Sequence, residues 1–429
     1  MIKKKFDSLI FSISVILLIY IIYKSEFYWS GEKRDYYLIY YIFSLALIGF
    51  SFLIFFINEK LKIYIKIFFF SILFSFYLFE FYITFHFKGK IQEITKFEIF
   101  NDMKKKDKNV KITMASVSFL KKNLNIFPLS GVSNSTTIAC SENGYFSVYN
   151  SDRYGFNNPD AEWDNQEIEY LLLGDSFTHG SCVNRPDDIA SVLRTISKKP
   201  SINLGNLGNG PLIEYATLRE FYPKKVNKVL WLYFEGNDIL GLDQELKNHF
   251  LINYIKDENY SQNLKLKQKN VDNIINKIIK KEVDKKHKQK NDRKLIKKIP
   301  LLNFVDIAKF FKFYESRKLF FHSNPIIQPE FKEIIMLANK LAETNGSKFY
   351  FVYLPEYKRY KKITFYDDRN YKEIKKILEG LNIPLIDIHT KVFKKNKNPL
   401  EFFPGEKIGH YNELGYKKTA EAIFNYTEK

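Results

Sequence analysis

Four short stretches of this 429-residue chain carry residue types that could act together on one ester: Ser176, Gly208, Asn237 and His410. A Ser hydroxyl can attack an acyl carbon. Backbone and amide N–H groups can hold the oxyanion that forms, and a neutral imidazole can take and return the proton. Ser176 follows the apolar run Leu171-Leu172-Leu173-Gly174-Asp175, and Gly208 lies in the turn Gly205-Asn206-Leu207-Gly208-Asn209-Gly210-Pro211. Asn237 stands in Glu235-Gly236-Asn237-Asp238 and His410 in Gly409-His410-Tyr411-Asn412. Read singly, each has a plainer account: an N-cap Ser, a tight strand–helix connection, an Asx turn, a capping His. Chance rarely gives the four in this order at the ends of successive elements, so the joint reading prevails.

Other chemistries find little support. The chain has no H-E-x-x-H, Walker A, C-x-x-C, G-x-S-x-G or G-x-G-x-x-G pattern, so neither a metal site nor a cofactor is suggested. The net charge of +19 comes with abundant Lys, Ile, Asn, Phe and Tyr, a mixture expected of A/T-rich codons. With no aromatic-interleaved basic motif or zinc spacing, it implies a solvated surface and no nucleic-acid partner.

The elements that must position these residues alternate. Apolar runs at Ile168–Leu173, Ser201–Leu204, Lys228–Phe234, Lys348–Leu354 and Pro384–Ile388 predict five strands. Helices are predicted at Ile189–Ser197, Leu212–Tyr222, Phe331–Glu343, Tyr371–Leu381 and Glu413–Tyr426. The expected fold is α/β, a flavodoxin-like doubly wound parallel five-stranded sheet whose carboxyl edge holds the ligand. Residues 243–325 interrupt it as an insertion. Its basic part, Leu264–Lys298, carries Val271, Ile274, Ile275, Ile278 and Ile279 at helical spacing and reads as an exposed helix or helical hairpin. Leu301–Phe321 is more apolar and is expected to pack back on the domain.

Residues 1–90 differ in kind. Apolar runs at Leu9–Tyr23, Tyr37–Ile57 and Tyr64–Phe85 predict three transmembrane helices, the first extended by Phe6. Lys3-Lys4-Lys5 and the loop Lys60 and Lys62 should stay cytoplasmic, which puts everything after residue 90 outside; Lys88, Lys90 and Lys104–Lys106 argue weakly against this. Glu80 inside the third run could snorkel, pair or mark the end of the span. The domain plan is therefore 1–90 membrane helices, 91–165 linker and lead-in, and 166–429 the α/β domain. Cys140 and Cys182 could pair in an oxidising compartment or remain thiols in a reducing one; a bridge would tie the lead-in to the Ser176 loop.

The Ser, Gly, Asn and His stretches together resemble the SGNH hydrolase superfamily, the GDSL-type esterases and lipases, over roughly residues 166–429 apart from the insertion. Tyr154-Gly155-Phe156-Asn157 is similar to the lead-in of its membrane-linked bacterial members. The resemblance implies Ser176 as nucleophile, His410 as base, and an oxyanion hole from the N–H groups of Ser176 and Gly208 with the Asn237 side chain. It implies acyl, often acetyl, esters of envelope glycan or lipid as substrates. His179 and Asp175 are candidates for substrate contact. The family's Asp, two or three residues before the His, is missing: Lys407 and Ile408 stand there. Glu406, one step further back, is the first candidate to orient His410, and Asp387 another; the alternatives are a Ser–His dyad, or a weak or inactive module that binds acyl groups or helps transfer them.

Overall fold

The computed structural model describes residues 2–31, 34–86, 96–296, 309–314, 316–317, 325–361 and 366–428. The expectations placed on Lys88, Lys90 and most of Leu301–Phe321 fall outside them. The chain divides into two units: Met1–Lys90 with Leu301–Ser323, and Ile91–Pro300 with Asn324–Lys429.

The first unit holds α1 (Ile2–Ile22), α2 (Arg34–Leu53) and α3 (Glu59–His86). Three spans are long and apolar enough to cross a membrane: Phe11–Tyr28, Tyr37–Phe56 and Glu59–Thr84. The first gains its length beyond Tyr23, through a π-helical turn at Tyr23–Tyr28. Ile16, Phe43 and Phe68 point outward and are each at least 60% exposed. Apolar outward faces of this length suit a bilayer, because a helix satisfies its backbone polar groups internally.

The second unit is built on a parallel sheet of β4 (Ile168–Gly174), β5 (Ser201–Asn203), β6 (Val226–Phe234), β7 (Lys348–Leu354) and β8 (Leu385–Asp387), in the spatial order β5-β4-β6-β7-β8. Counted along the sheet's own strands this is 2-1-3-4-5, the flavodoxin-like order expected from the sequence. Both faces are buried, with side chains alternating between them as the strand period requires. Leu171, Leu173, Val229, Trp231, Phe349 and Phe351 fill one layer, while Tyr170, Leu172, Leu230, Leu232 and Val352 fill the other. Helix Ile189–Ser197 and the final helix Glu413–Thr427 pack together on the second face.

Three expectations are corrected. Residues 91–165 are not a linker beyond residue 95: they supply α4 (Lys96–Lys106) and a small sheet of β1 (Val110–Ile112), β2 (Thr136–Ile138) and β3 (Val148–Asn150). Phe100, Phe119, Phe127 and Phe156 of this segment are at most 2% exposed and join the core of the large sheet. Burying each such ring contributes roughly 1.5–3 kcal/mol. The basic part of the insertion is a helix, one of the two forms expected, but one face of it is not exposed. Val271, Ile275, Ile278 and Ile279 of the helix Gln268–Ile296 are buried in the same core. Asp272 accepts from Ser133 N at 2.9 Å and Ser133 Oγ at 2.7 Å, which fixes that helix to the lead-in. Among its described residues, Leu301–Phe321 belongs to the first unit, not to the α/β domain.

Candidate active site

The first strand of the large sheet ends at Gly174, whose φ of +149° and lack of a side chain let the chain turn sharply; a Cβ there would lie 2.1 Å from Thr178 Oγ1. Asp175 then caps the short helix Ser176–His179, accepting Phe177 N at 2.8 Å. Ser176 is the first residue of that helix, so its N–H has no acceptor within the helix. Its hydroxyl reaches two neighbours, Asp175 Oδ2 at 3.1 Å and His410 Nε2 at 2.9 Å.

His410 stands in the loop before the last helix. Tyr411 fixes this loop by donating to the Pro355 carbonyl at 2.7 Å, and Tyr416 donates to the Ser181 carbonyl at 3.1 Å. The Phe177 ring lies between Phe234, stacked at 3.8 Å, and His410 at 4.9 Å, so the imidazole rests on an aromatic wall.

The carboxylate behind His410 is Glu142. Both of its oxygens lie 3.1 Å from Nδ1, and Oε2 accepts the His410 backbone N–H at 2.6 Å. Burial raises the Glu142 carboxyl, but the hydrogen bonds and charge of His410 outweigh this and hold it below the ordinary value. With its proton on Nδ1 facing Glu142, His410 offers the Nε2 lone pair to the Ser176 hydroxyl. Glu406 does not do this work: it accepts from Asn398 Nδ2 at 2.7 Å instead. Asp387 is engaged by Tyr371 Oη at 2.7 Å and caps the turn at Thr390.

A disulfide joins Cys140 to Cys182. It brings the residues around Cys140 beside the Ser176 loop, and Cys182 Sγ lies 3.6 Å from His410 Nδ1. Asn143 Nδ2 donates to the Cys182 carbonyl at 3.0 Å, and Tyr145 Oη to Glu413 at 2.7 Å. The segment carrying Glu142 is thus held on both flanks.

The turn after the second strand comes to the same edge. Gly208 has a φ of +66°, and a Cβ on it would lie 2.9 Å from Val117 Cγ1. Asn206 N donates to the Gly174 carbonyl at 3.4 Å and its side chain to Ser116 Oγ at 2.9 Å, so lead-in and turn are stitched together. Asn237 follows the third strand at this sheet edge, and its Oδ1 is buried without a hydrogen-bond partner. The lead-in motif clamps the turns from behind: Asn157 Nδ2 donates to the His179 carbonyl at 2.9 Å, and Asn158 Oδ1 accepts Asn203 N at 2.8 Å.

Neither residue expected to touch substrate is presented to it. Asp175 is fully buried, and burial raises its carboxyl above the ordinary value. His179 is 2% exposed, lies edge-on to Tyr149 at 4.9 Å, and burial pushes its imidazole down to about 3. Sequence reading missed Glu142. The available signal was its place two residues past Cys140, whose pairing with Cys182 would draw it toward Ser176.

The fold and site therefore define an α/β protein with a Ser–His–carboxylate line at the carboxyl edge of a doubly wound sheet. No protein-family model matches the chain. No curated protein matches it either. Among solved structures, it is similar to a lipolytic-type G-D-S-L family protein from Desulfitobacterium hafniense DCB-2, at 16% identity and a TM-score of 0.33, covering 60% of this chain and 99% of that one. A member of the lipolytic G-D-S-L family from Veillonella parvula DSM 2008 is 12% identical at a TM-score of 0.32, covering 61% and 99%. An acetyl xylan esterase is 14% identical at a TM-score of 0.31, covering 60% and 99%. The site rests on its own contacts and not on these likenesses.

Proposed function

We propose that this protein is a membrane-anchored serine ester hydrolase of SGNH type, acting on acyl esters, acetyl above all, of envelope glycan or lipid. One observation carries the reading: Ser176 Oγ, His410 and Glu142 stand in hydrogen-bonded line at 2.9 and 3.1 Å. His410 Nε2 takes the Ser176 proton as Oγ bonds to the acyl carbon. The carbonyl oxygen becomes an oxyanion facing the N–H groups of Ser176 and Gly208 and the Asn237 amide. Collapse of this intermediate expels the alkoxide, which His410 protonates, leaving an acyl-Ser176 ester. A water, deprotonated by His410, then releases the acid and restores the hydroxyl. Glu142 keeps the imidazole in the tautomer this requires and steadies its charged form. The inactive-module reading loses its main support, because a carboxylate does stand behind His410.

The α/β unit is assigned to the outer side of the membrane. Lys3–Lys5 and the loop lysines Lys60 and Lys62 favour that topology, and the Cys140–Cys182 bridge suits an oxidising compartment. A fluorophosphonate should label the purified protein and fail to label Ser176→Ala. No labelling of the wild type, together with no cleavage of p-nitrophenyl acetate, overturns the reading.

A further inference from the structure

Glu80 lies in the third membrane-crossing helix and is 0% exposed. A carboxyl group at such a place demands a partner, because hydrocarbon offers none. It has one far along the chain: Ser316, whose backbone N–H donates to Glu80 Oε2 at 2.8 Å and whose hydroxyl donates to the same oxygen. Aromatic contacts extend the pairing. Tyr77, one helical turn before Glu80, meets Phe313 at 4.4 Å and Phe310 at 5.5 Å between ring centroids, and Phe76 meets Phe313 edge-on at 6.4 Å. Arg317 lies over the Tyr40 ring of α2 at 5.8 Å.

Phe311 also meets Tyr77 edge-on at 6.0 Å, yet much of the surface of this short segment is open. Phe311 is 63% and Tyr314 44% exposed, continuing the outward surface of α3, where Phe74 is 65% and Tyr82 57% exposed. Lys309 and Lys312 are exposed beside them. Phe, Tyr and Lys together are the composition of a segment seated where acyl chains meet headgroups. Water would disfavour these rings, and Glu80 and Tyr77 supply the polar and aromatic contacts that a non-spanning segment needs at that depth.

We propose that residues 309–314 with 316–317 are a lipid-seated element through which the insertion between β6 and β7 returns to the bilayer, giving the α/β unit a second membrane attachment independent of the stretch that follows α3. Lipid is the partner, held by the outward rings, while Glu80 and Tyr77 dock the element on α3.

The test uses the full chain in vesicles. A protease site is inserted between residues 88 and 95, the protein is cleaved, and the vesicles are washed with high salt. The fragment carrying residues 96–429 is expected to stay with the vesicles. It should be released from Phe310→Ser/Phe311→Ser/Phe313→Ser, with retention falling about tenfold or more. Release of the wild-type fragment overturns the proposal. A second measurement needs no destabilised variant: Phe311→Trp in vesicles bearing a spin-labelled lipid should show added tryptophan emission that the label quenches. Unquenched added emission means that Phe311 does not face lipid and likewise overturns it. Neither readout depends on ester hydrolysis, so failure here is separable from failure of the proposed activity.

Discussion

Glu142 grips His410 at two points, the ring Nδ1 at 3.1 Å and the backbone N–H at 2.6 Å, from a position 268 residues earlier in the chain. One carboxylate thus sets both the tilt of the imidazole and the path of its loop. Glu142→Gln can still accept the backbone N–H, but it removes the negative charge. It is expected to lower kcat on the order of 10³- to 10⁴-fold with little change in Tm. Glu406→Gln should leave kcat near that of the wild type. Steady-state kinetics on p-nitrophenyl acetate with thermal melts checks both, and the reverse ranking would return the orienting role to Glu406.

The disulfide should matter for rate as well as stability. Closing its 42-residue separation is worth about 4 kcal/mol by loop entropy. Cys140→Ser/Cys182→Ser is expected to melt earlier, and its kcat should fall toward that of Glu142→Gln because the segment bearing the carboxylate is loosened. Dithiothreitol treatment of the wild type, followed by melting and rate measurements, should reproduce both changes.

Gly208→Ala is expected to impair the proposed hydrolysis through its backbone. A left-handed φ of +66° costs a non-glycine residue about 1–2 kcal/mol, and the new methyl meets Val117. Any rotation that relieves this swings the Gly208 N–H. Loss of one such donor lowers kcat on the order of 10²-fold. Gly208→Ala/Val117→Ala removes the clash but not the φ strain, so it should recover stability only in part. Denaturant midpoints and kcat of the pair report this.

Stability should decline as pH rises through neutrality. Glu214 is buried with neither carboxyl oxygen hydrogen-bonded, and burial, then the nearby charges of Asp175 and Glu245, raises it well above the ordinary value. Burial raises Glu245 to about 7. Above the ordinary carboxylate value of about 4.3 the unfolded chain has released these protons while the folded protein keeps them, so raising pH favours unfolding until the folded values are passed. Tm measured from pH 5 to 9 should fall for the wild type and fall less for Glu214→Gln. Equal slopes would show that the folded protein holds no extra proton at Glu214 in that window.

The sheet was legible because its strands are buried on both faces and read as apolar runs stopped by turn residues. The strand ends at Phe234 and Leu354 and the helix Ile189–Ser197 coincide with the structure. Ser176 and His410 were legible because each sits where such an element begins. Glu142 was not, since a lone carboxylate in irregular chain carries no periodic signal. The helix Gln268–Ile296 misled for a different reason: its Lys density suggested a solvated element, although Val271, Ile275 and Ile278 already marked an inward stripe. Residues 96–130 misled because a short strand and isolated aromatics show too little pattern to declare a core.

The 234 positions that separate Ser176 from His410 also impose an order in time. On the ribosome the hydroxyl emerges long before the imidazole that activates it in the proposed reaction, while Glu142 and both cysteines have already left the tunnel. The nascent chain can therefore seal its disulfide first, and in the proposed reaction its hydroxyl gains a base only when the last helix docks.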